Sequence, residues 1–466
     1  MSFATNKVLL LIFFVCMFSA NAQNEFTTHT KNDGLTSTNI LSTKVDYRGI
    51  VWAATNSGIN AYVDDGWIPI KSIADKNGKE VKIGRVSNIF ESLNGELWVV
   101  SEKGLFVYNG KHWTHFYDGD NEGFVVTDIF EDRRGWIWIL LEKKRSLKDI
   151  GDLGFALTEG KIQTYNGYQW YKHEGEIGGS AAVTIGDPME YFTSHTQDEQ
   201  GNIWITNLDG LYSFNGKKWA KFDEEEKQLP ADICNKVLET NNNEIWVATR
   251  HGIAKQKDGS WVKYEDNKGL KGKNISDLFE DNQNRLWATT KKDNRFSSLC
   301  LYENNIWKPY NKDDIKIVGS IDQLIDFDDQ LIAFSKSGVS LFDGKKWINL
   351  IKKNKIKDDK YTGVTVTRDK SVWFAGQKGL YRLNSTGLQL VYSPNKSWKV
   401  TTIFETNTGE IWVGTEKKGV CVIGSTSNKH YTVNNGFNDN YIKDIFEDKQ
   451  NNIWVVTKGG ISKYNK

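Results

Sequence analysis

The stretch Glu142-Lys143-Lys144-Arg145-Ser146-Leu147-Lys148-Asp149-Ile150-Gly151-Asp152 crowds charged side chains into one non-periodic segment. Arg145 and Lys148 bring hydrogen-bond donors there, and Asp149 and Asp152 bring acceptors. Arg250-His251 repeats that polar mixture in a shorter turn, as does Arg295 within Lys291-Lys292-Asp293-Asn294-Arg295-Phe296. Trp398 adds a flat indole, expected to be exposed, on which a sugar ring could stack. Convergent polar groups beside an aromatic plate suit a small polar molecule, a saccharide above all. The simpler reading of each turn is a solvated loop tip, where insertions are tolerated without any function.

Signatures of catalysis are missing from the sequence. There is no His-Glu-x-x-His, Gly-x-Ser-x-Gly, phosphate-binding loop or dinucleotide glycine fingerprint. Asp118-Gly119-Asp120-Asn121-Glu122-Gly123 starts like a calcium loop, but Ile129 stands where the chelating Glu belongs. Cys16, Cys234, Cys300 and Cys421 are scattered, and packing explains them better than a disulfide framework or a zinc site. No cofactor or metal is expected. His195 replaces an aliphatic such as Ile89 and reads as a core or channel histidine. Carboxylates brought together from distant segments would escape such a search, so a secreted polysaccharide-active lyase or hydrolase stands as the alternative to a binder.

A repeat must position these residues. The frame Asn94-Gly95-Glu96-Leu97-Trp98 returns around Trp52, Trp98, Trp138, Trp204, Trp246, Trp287, Trp373, Trp412 and Trp454, with Ile332 replacing one Trp. Successive markers lie 46, 40, 66, 42, 41, 45, 41, 39 and 42 residues apart. Short strands at such a period predict an all-β chain, a β-propeller of about ten four-stranded blades. Turns such as Asn109-Gly110 separate the last two strands of a blade. The final repeat stops at Tyr464 after its third strand, and Phe26-Thr27-Thr28-His29 reads as the missing fourth. That pairing would remove an open edge, so one large ring is favoured over two smaller rings parted near Ile332.

With strands named A to D, the A–B and C–D turns share one face of the disc, and B–C and D–A connections share the other. The first face holds short Gly turns. The second holds nearly all the length variation, including residues 142–152 and the long connection near 174–190. All eight candidate residues fall on this variable face, so ligand contacts are expected there, centred on blade 3. Trp136 is expected to be exposed near the opposite face.

Three copies of the repeat are close to one another: Ile129-Phe130-Glu131-Asp132-Arg133-Arg134-Gly135-Trp136-Ile137-Trp138, Leu278-Phe279-Glu280-Asp281 through Trp287, and Ile445-Phe446-Glu447-Asp448 through Trp454. They resemble the two-component regulator propeller repeat family, as does the opening Asp33-Gly34-Leu35-Thr36. The resemblance implies a periplasmic sensor propeller of the kind found in bacterial hybrid histidine kinases. The sequence departs from that architecture, since no transmembrane helix, kinase core or response-regulator domain is read in it, and phosphotransfer is not expected of it.

Lys7, the apolar stretch Val8 to Phe18 and Ala20-Asn21-Ala22 read as a signal peptide over residues 1–22, cleaved after Ala22. Residues 23–466 then form the propeller array, periplasmic or secreted, with no membrane span. Sixty Lys and Arg against 59 Asp and Glu leave no basic surplus for nucleic acid. The expected function is an exported, non-catalytic, sensor-like binder of a small molecule or saccharide, or of an envelope protein in two-component signalling. A protein-interaction scaffold is the remaining alternative.

Overall fold

The computed structural model describes residues 25–74, 77–117, 124–144, 155–173, 179–184, 191–257, 259–264, 270, 274–292, 295–317, 321–356, 360–394, 398–424 and 427–465. Blade 2 shows how one repeat folds. Strands A (Val86–Glu91), B (Leu97–Ser101), C (Gly104–Tyr108) and D (Trp113–Tyr117) form one antiparallel sheet in the order D-C-B-A. Strand B is apolar on both faces because a neighbouring blade covers each side. Gly110 holds φ at 92°, the left-handed conformation that lets the C–D hairpin close in two residues.

Ten four-stranded paths of this kind occur among the described residues. Each blade packs on the next, and Trp454 and Val456 of blade 10 share a core with Ile40, Val51 and Trp67 of blade 1. Blades 7 and 8 are likewise joined, through Phe327, Phe334, Tyr361 and Phe374. The chain is therefore one ring of ten blades, and the alternative of two rings falls. Phe26–His29 supplies strand D of blade 10, with Phe26 opposite Tyr464 and His29 opposite Ile461.

Large aromatic side chains fill the seams. In seven seams the marker Trp of one blade meets the strand D Trp of the next edge to face: Trp52–Trp113, Trp98–Trp170, Trp138–Trp219, Trp204–Trp261, Trp246–Trp307, Trp287–Trp347 and Trp454–Trp67. Such T-shaped pairs add to the burial of both indoles. Phe26 takes the Trp position against Trp412, at 6.3 Å.

A further ring from strand D of the marker's own blade completes most of these boxes, with Ile70 in that place beside Trp52. Phe116, Phe222 and Tyr264 serve Trp98, Trp204 and Trp246. Two blades use histidine instead, His173 beside Trp138 and His29 beside Trp454. His173 accepts the indole N–H of Trp219 on Nδ1 at 3.0 Å. His29 is 7% exposed, and its Nε2 has no hydrogen-bond partner.

Burial lowers the His29 pKa below its ordinary 6.5, outweighing Asp33 and Asp65, which raise it; Lys463 lowers it further. The unfolded chain therefore binds a proton that the folded one resists, and stability falls as pH drops below about 6.5. His29→Phe, which installs the residue found at the Phe116 and Phe222 positions, is expected to flatten that slope. Chemical denaturation of both proteins at about pH 7 and pH 5 tests this. Equal slopes would show that His29 does not couple to stability.

Two polar devices repeat around the ring. The first joins blades: the last residue of strand A accepts an N–H from the A–B turn of the preceding blade. Glu91 takes Tyr47 N, Glu131 takes Leu93 N, Glu280 takes Asn241 N and Glu447 takes Asn407 N. Gln197, Glu239 and Glu405 act likewise, as does Asp326, one residue before the end of its strand. Val366 and Val45 occupy that place in blades 8 and 1. The second device lies within a blade: Asp46, Asp132, Asp198, Asp281 and Asp448 each close the A–B turn and accept the marker indole N–H at 2.8–3.0 Å.

Candidate functional site

On the variable face, strand B hydroxyls cap the B–C turns. Thr55, Thr249 and Thr457 donate to the carbonyls of Gly58, Gly252 and Gly460 at 2.9–3.2 Å. These hydroxyls serve the turns. Blade 3 differs: strands B (Ile137–Lys144) and C (Phe155–Tyr165) are lengthened, and Gly179–Thr184 from the D–A connection pairs along strand C. The two insertions thus form one sheet. At its root Glu142 is buried and accepts Phe192 N at 3.0 Å.

Arg145, Lys148, Asp149 and Asp152 lie outside the described residues. His251 is exposed in the B–C turn of blade 5, and Arg250 beside it donates its backbone N–H to Ile233 O at 3.0 Å. Arg295 pairs with Lys292 at the B–C hairpin of blade 6. Trp398 requires a correction. It is 5% exposed, packed against Tyr392, with its indole N–H on Gly376 O at 2.7 Å. The indole fills the seam between blades 8 and 9 and offers no stacking plate to a ligand. Trp136, on the other face, is half-buried under a parallel Tyr171 ring at 5.5 Å.

The channel-side strands A reveal an arrangement that the loops do not. Asp128, Asp277 and Asp444 occupy equivalent positions in blades 3, 6 and 10, each accepting the N–H of the next residue at 2.9 Å. In the seam between blades 3 and 4, His195 Nδ1 lies 3.3 Å from Asp128 and its ring stacks on Phe130 at 3.7 Å. Burial pushes the Asp128 carboxyl up, but His195 and the Ile129 N–H outweigh it and hold the group below its ordinary value. Asp277 goes the other way: burial raises it, and Lys236, the Leu278 N–H and Lys291 offset only part.

Beside Asp277 a cleft of about 440 Å³ separates blades 6 and 7. Ser276, Lys291, Asp322 and Gln323 supply polar walls, with Phe279 and Leu324 as apolar ones. Its cause is local. Strand A of blade 7 (Gln323–Phe327) lacks the bulge seen in the other nine blades and turns tightly at Asp328, φ 50°. The cleft involves the start of strand A and the end of strand B, so it opens on the variable face, beside the hairpin that carries Arg295. Sequence reasoning missed Asp277; the signal was the Asp preceding Leu278 in a near-perfect repeat copy.

Residues 269–292 and 436–459 match the family described as Two component regulator propeller. This chain carries the two-component regulator propeller repeat. A 68-residue stretch is 41% identical to histidine kinase P4 of Formosa agariphila, covering 13% of this chain and 5% of that protein. Among solved structures, the chain is similar to the extracellular domain of a B. thetaiotaomicron protein described as a hybrid two component system. That match has 14% identity and a TM-score of 0.33, covering 91% of this chain and 64% of the other. PorZ of the Porphyromonas gingivalis type-IX secretion system matches at 14% identity and TM-score 0.31, covering 92% and 74%. A streptogramin B lyase matches at 16% and 0.30, covering 60% and 95%. Likenesses this distant carry nothing about function. Among the described residues no helix is long and apolar enough to cross a membrane, and no group of three or more His, Cys, Asp or Glu could hold a metal ion.

Proposed function

We propose that this protein is an exported, non-catalytic sensor-like propeller that binds a saccharide in the cleft between blades 6 and 7. The cleft carries the reading: its size suits a short oligosaccharide, and its walls combine hydrogen-bonding groups with the Phe279 ring. The regulator repeat supports a sensing role, with an envelope protein of a two-component system as the partner that reads the bound state. Reading residues 1–22 as a leader supports a periplasmic or extracellular setting.

A panel of oligosaccharides, screened by titration calorimetry alongside a reducing-end assay, tests this. Saturable binding without new reducing ends or unsaturated products is the expected result. Product formation would instead favour the polysaccharide-active enzyme, and failure of every saccharide to bind would overturn the reading.

A further inference from the structure

We infer that Asp277 sets the specificity of this cleft, accepting hydroxyl donors from an uncharged sugar and disfavouring acidic sugars. The inference rests on the saccharide-binding reading above. The ring supplies its own comparison, because Asp128 and Asp277 hold the same repeat position and the same bond to the next N–H. In the first seam the protein itself provides a partner, the His195 imidazole. In the second, Leu324 stands where His195 would be, and a hydrocarbon side chain donates nothing.

Asp277 is open to the cleft, and its named hydrogen bond uses only one carboxylate oxygen. The other oxygen is placed to accept from a ligand hydroxyl, with Ser276 and Gln323 within the same walls. Asp322 adds a second carboxylate, one oxygen of which takes Lys336 N at 2.9 Å. From the other packed elements, Lys236 and Lys291 face Asp277. Two carboxylates set against these two ammonium groups leave no cationic surplus, so a uronate or sulfate would bring a further negative charge beside existing ones. Hydroxyl donors stabilise the ionised form of a group that burial disfavours, so affinity is expected to weaken as pH falls into the carboxylate range.

Calorimetry of the full mature chain with malto- and cello-tetraose, against oligogalacturonate and oligoalginate of equal length, provides the test. Neutral sugars should bind, and the acidic ones should bind at least about tenfold more weakly. Asp277→Asn should weaken neutral-sugar binding by a similar factor while the melting transition is retained. Leu324→His leaves Asp277 in place and offers it the partner that Asp128 has; it should also suppress binding. Neutral and acidic sugars binding alike, or neutral-sugar affinity unchanged in both variants, would overturn the inference while leaving saccharide binding intact. No binding by any sugar would remove both.

Discussion

A chain beginning at Asn32 is expected to melt well below one beginning at Gln23 and to aggregate on standing. The shorter chain lacks Phe26–His29, so the strand Gly460–Tyr464 loses its outer neighbour. Phe26 is 1% exposed and lies 4.3–6.3 Å from the rings of Phe437, Tyr464, Tyr431 and Trp412. Losing that side chain alone should cost about 3–5 kcal/mol. The freed N–H and C=O groups also present a template for pairing with other chains. Calorimetry and light scattering of the two chains decide the matter. Equal melting temperatures and equal monodispersity would mean that the ring does not depend on this strand.

Asp132→Ala is expected to be nearly as damaging, although no ligand is near it. Its carboxylate accepts Arg134 N at 2.8 Å, Arg134 Nε at 3.0 Å, Trp136 N at 3.1 Å and the Trp138 indole at 2.9 Å. The substitution strands a buried indole N–H and the turn amides together, which should cost about 3–5 kcal/mol. Blade 2 gives the control. Ser92 fills the equivalent place, bonds the turn through Glu96 N, and leaves the Trp98 indole without a partner. Ser92→Ala should therefore cost only about 1 kcal/mol. Equal losses for the two substitutions, measured by urea denaturation, would show that the indole bond adds nothing.

The contrast between those residues explains what the sequence makes legible. Ring architecture follows from period and turn chemistry, because the Trp recurs between turn-forming residues and every blade solves the same packing problem. The role of Asp132 was not legible. An Asp three residues before a Gly reads as a turn former in any loop, and only the fold shows that its carboxylate reaches an indole six residues on. Trp398 misled for a related reason: it lies in a connection on the variable face, and its burial depends on how strand D of blade 8 ends at Tyr392. The cleft beside Asp277 was invisible because its walls come from two blades, Ser276 to Phe279 and Lys291 from one and Asp322 to Leu324 from the next, and none of these residues departs from the repeat's pattern. The pairing of the two blade 3 insertions was hidden too, since they lie on either side of strand D.

The N–H bonds that cross the seams bear on how such a ring can grow. Each is made between the A–B turn of one repeat and the strand A end of the next, as in Leu93 with Glu131 and Asn407 with Glu447. Eight of the ten units therefore carry the acceptor half of the joint beside a turn that can donate, blades 1 and 8 having Val45 and Val366 in its place. Duplicating or excising one whole unit rejoins matching halves, so the number of units can change by steps of one without new contacts being invented.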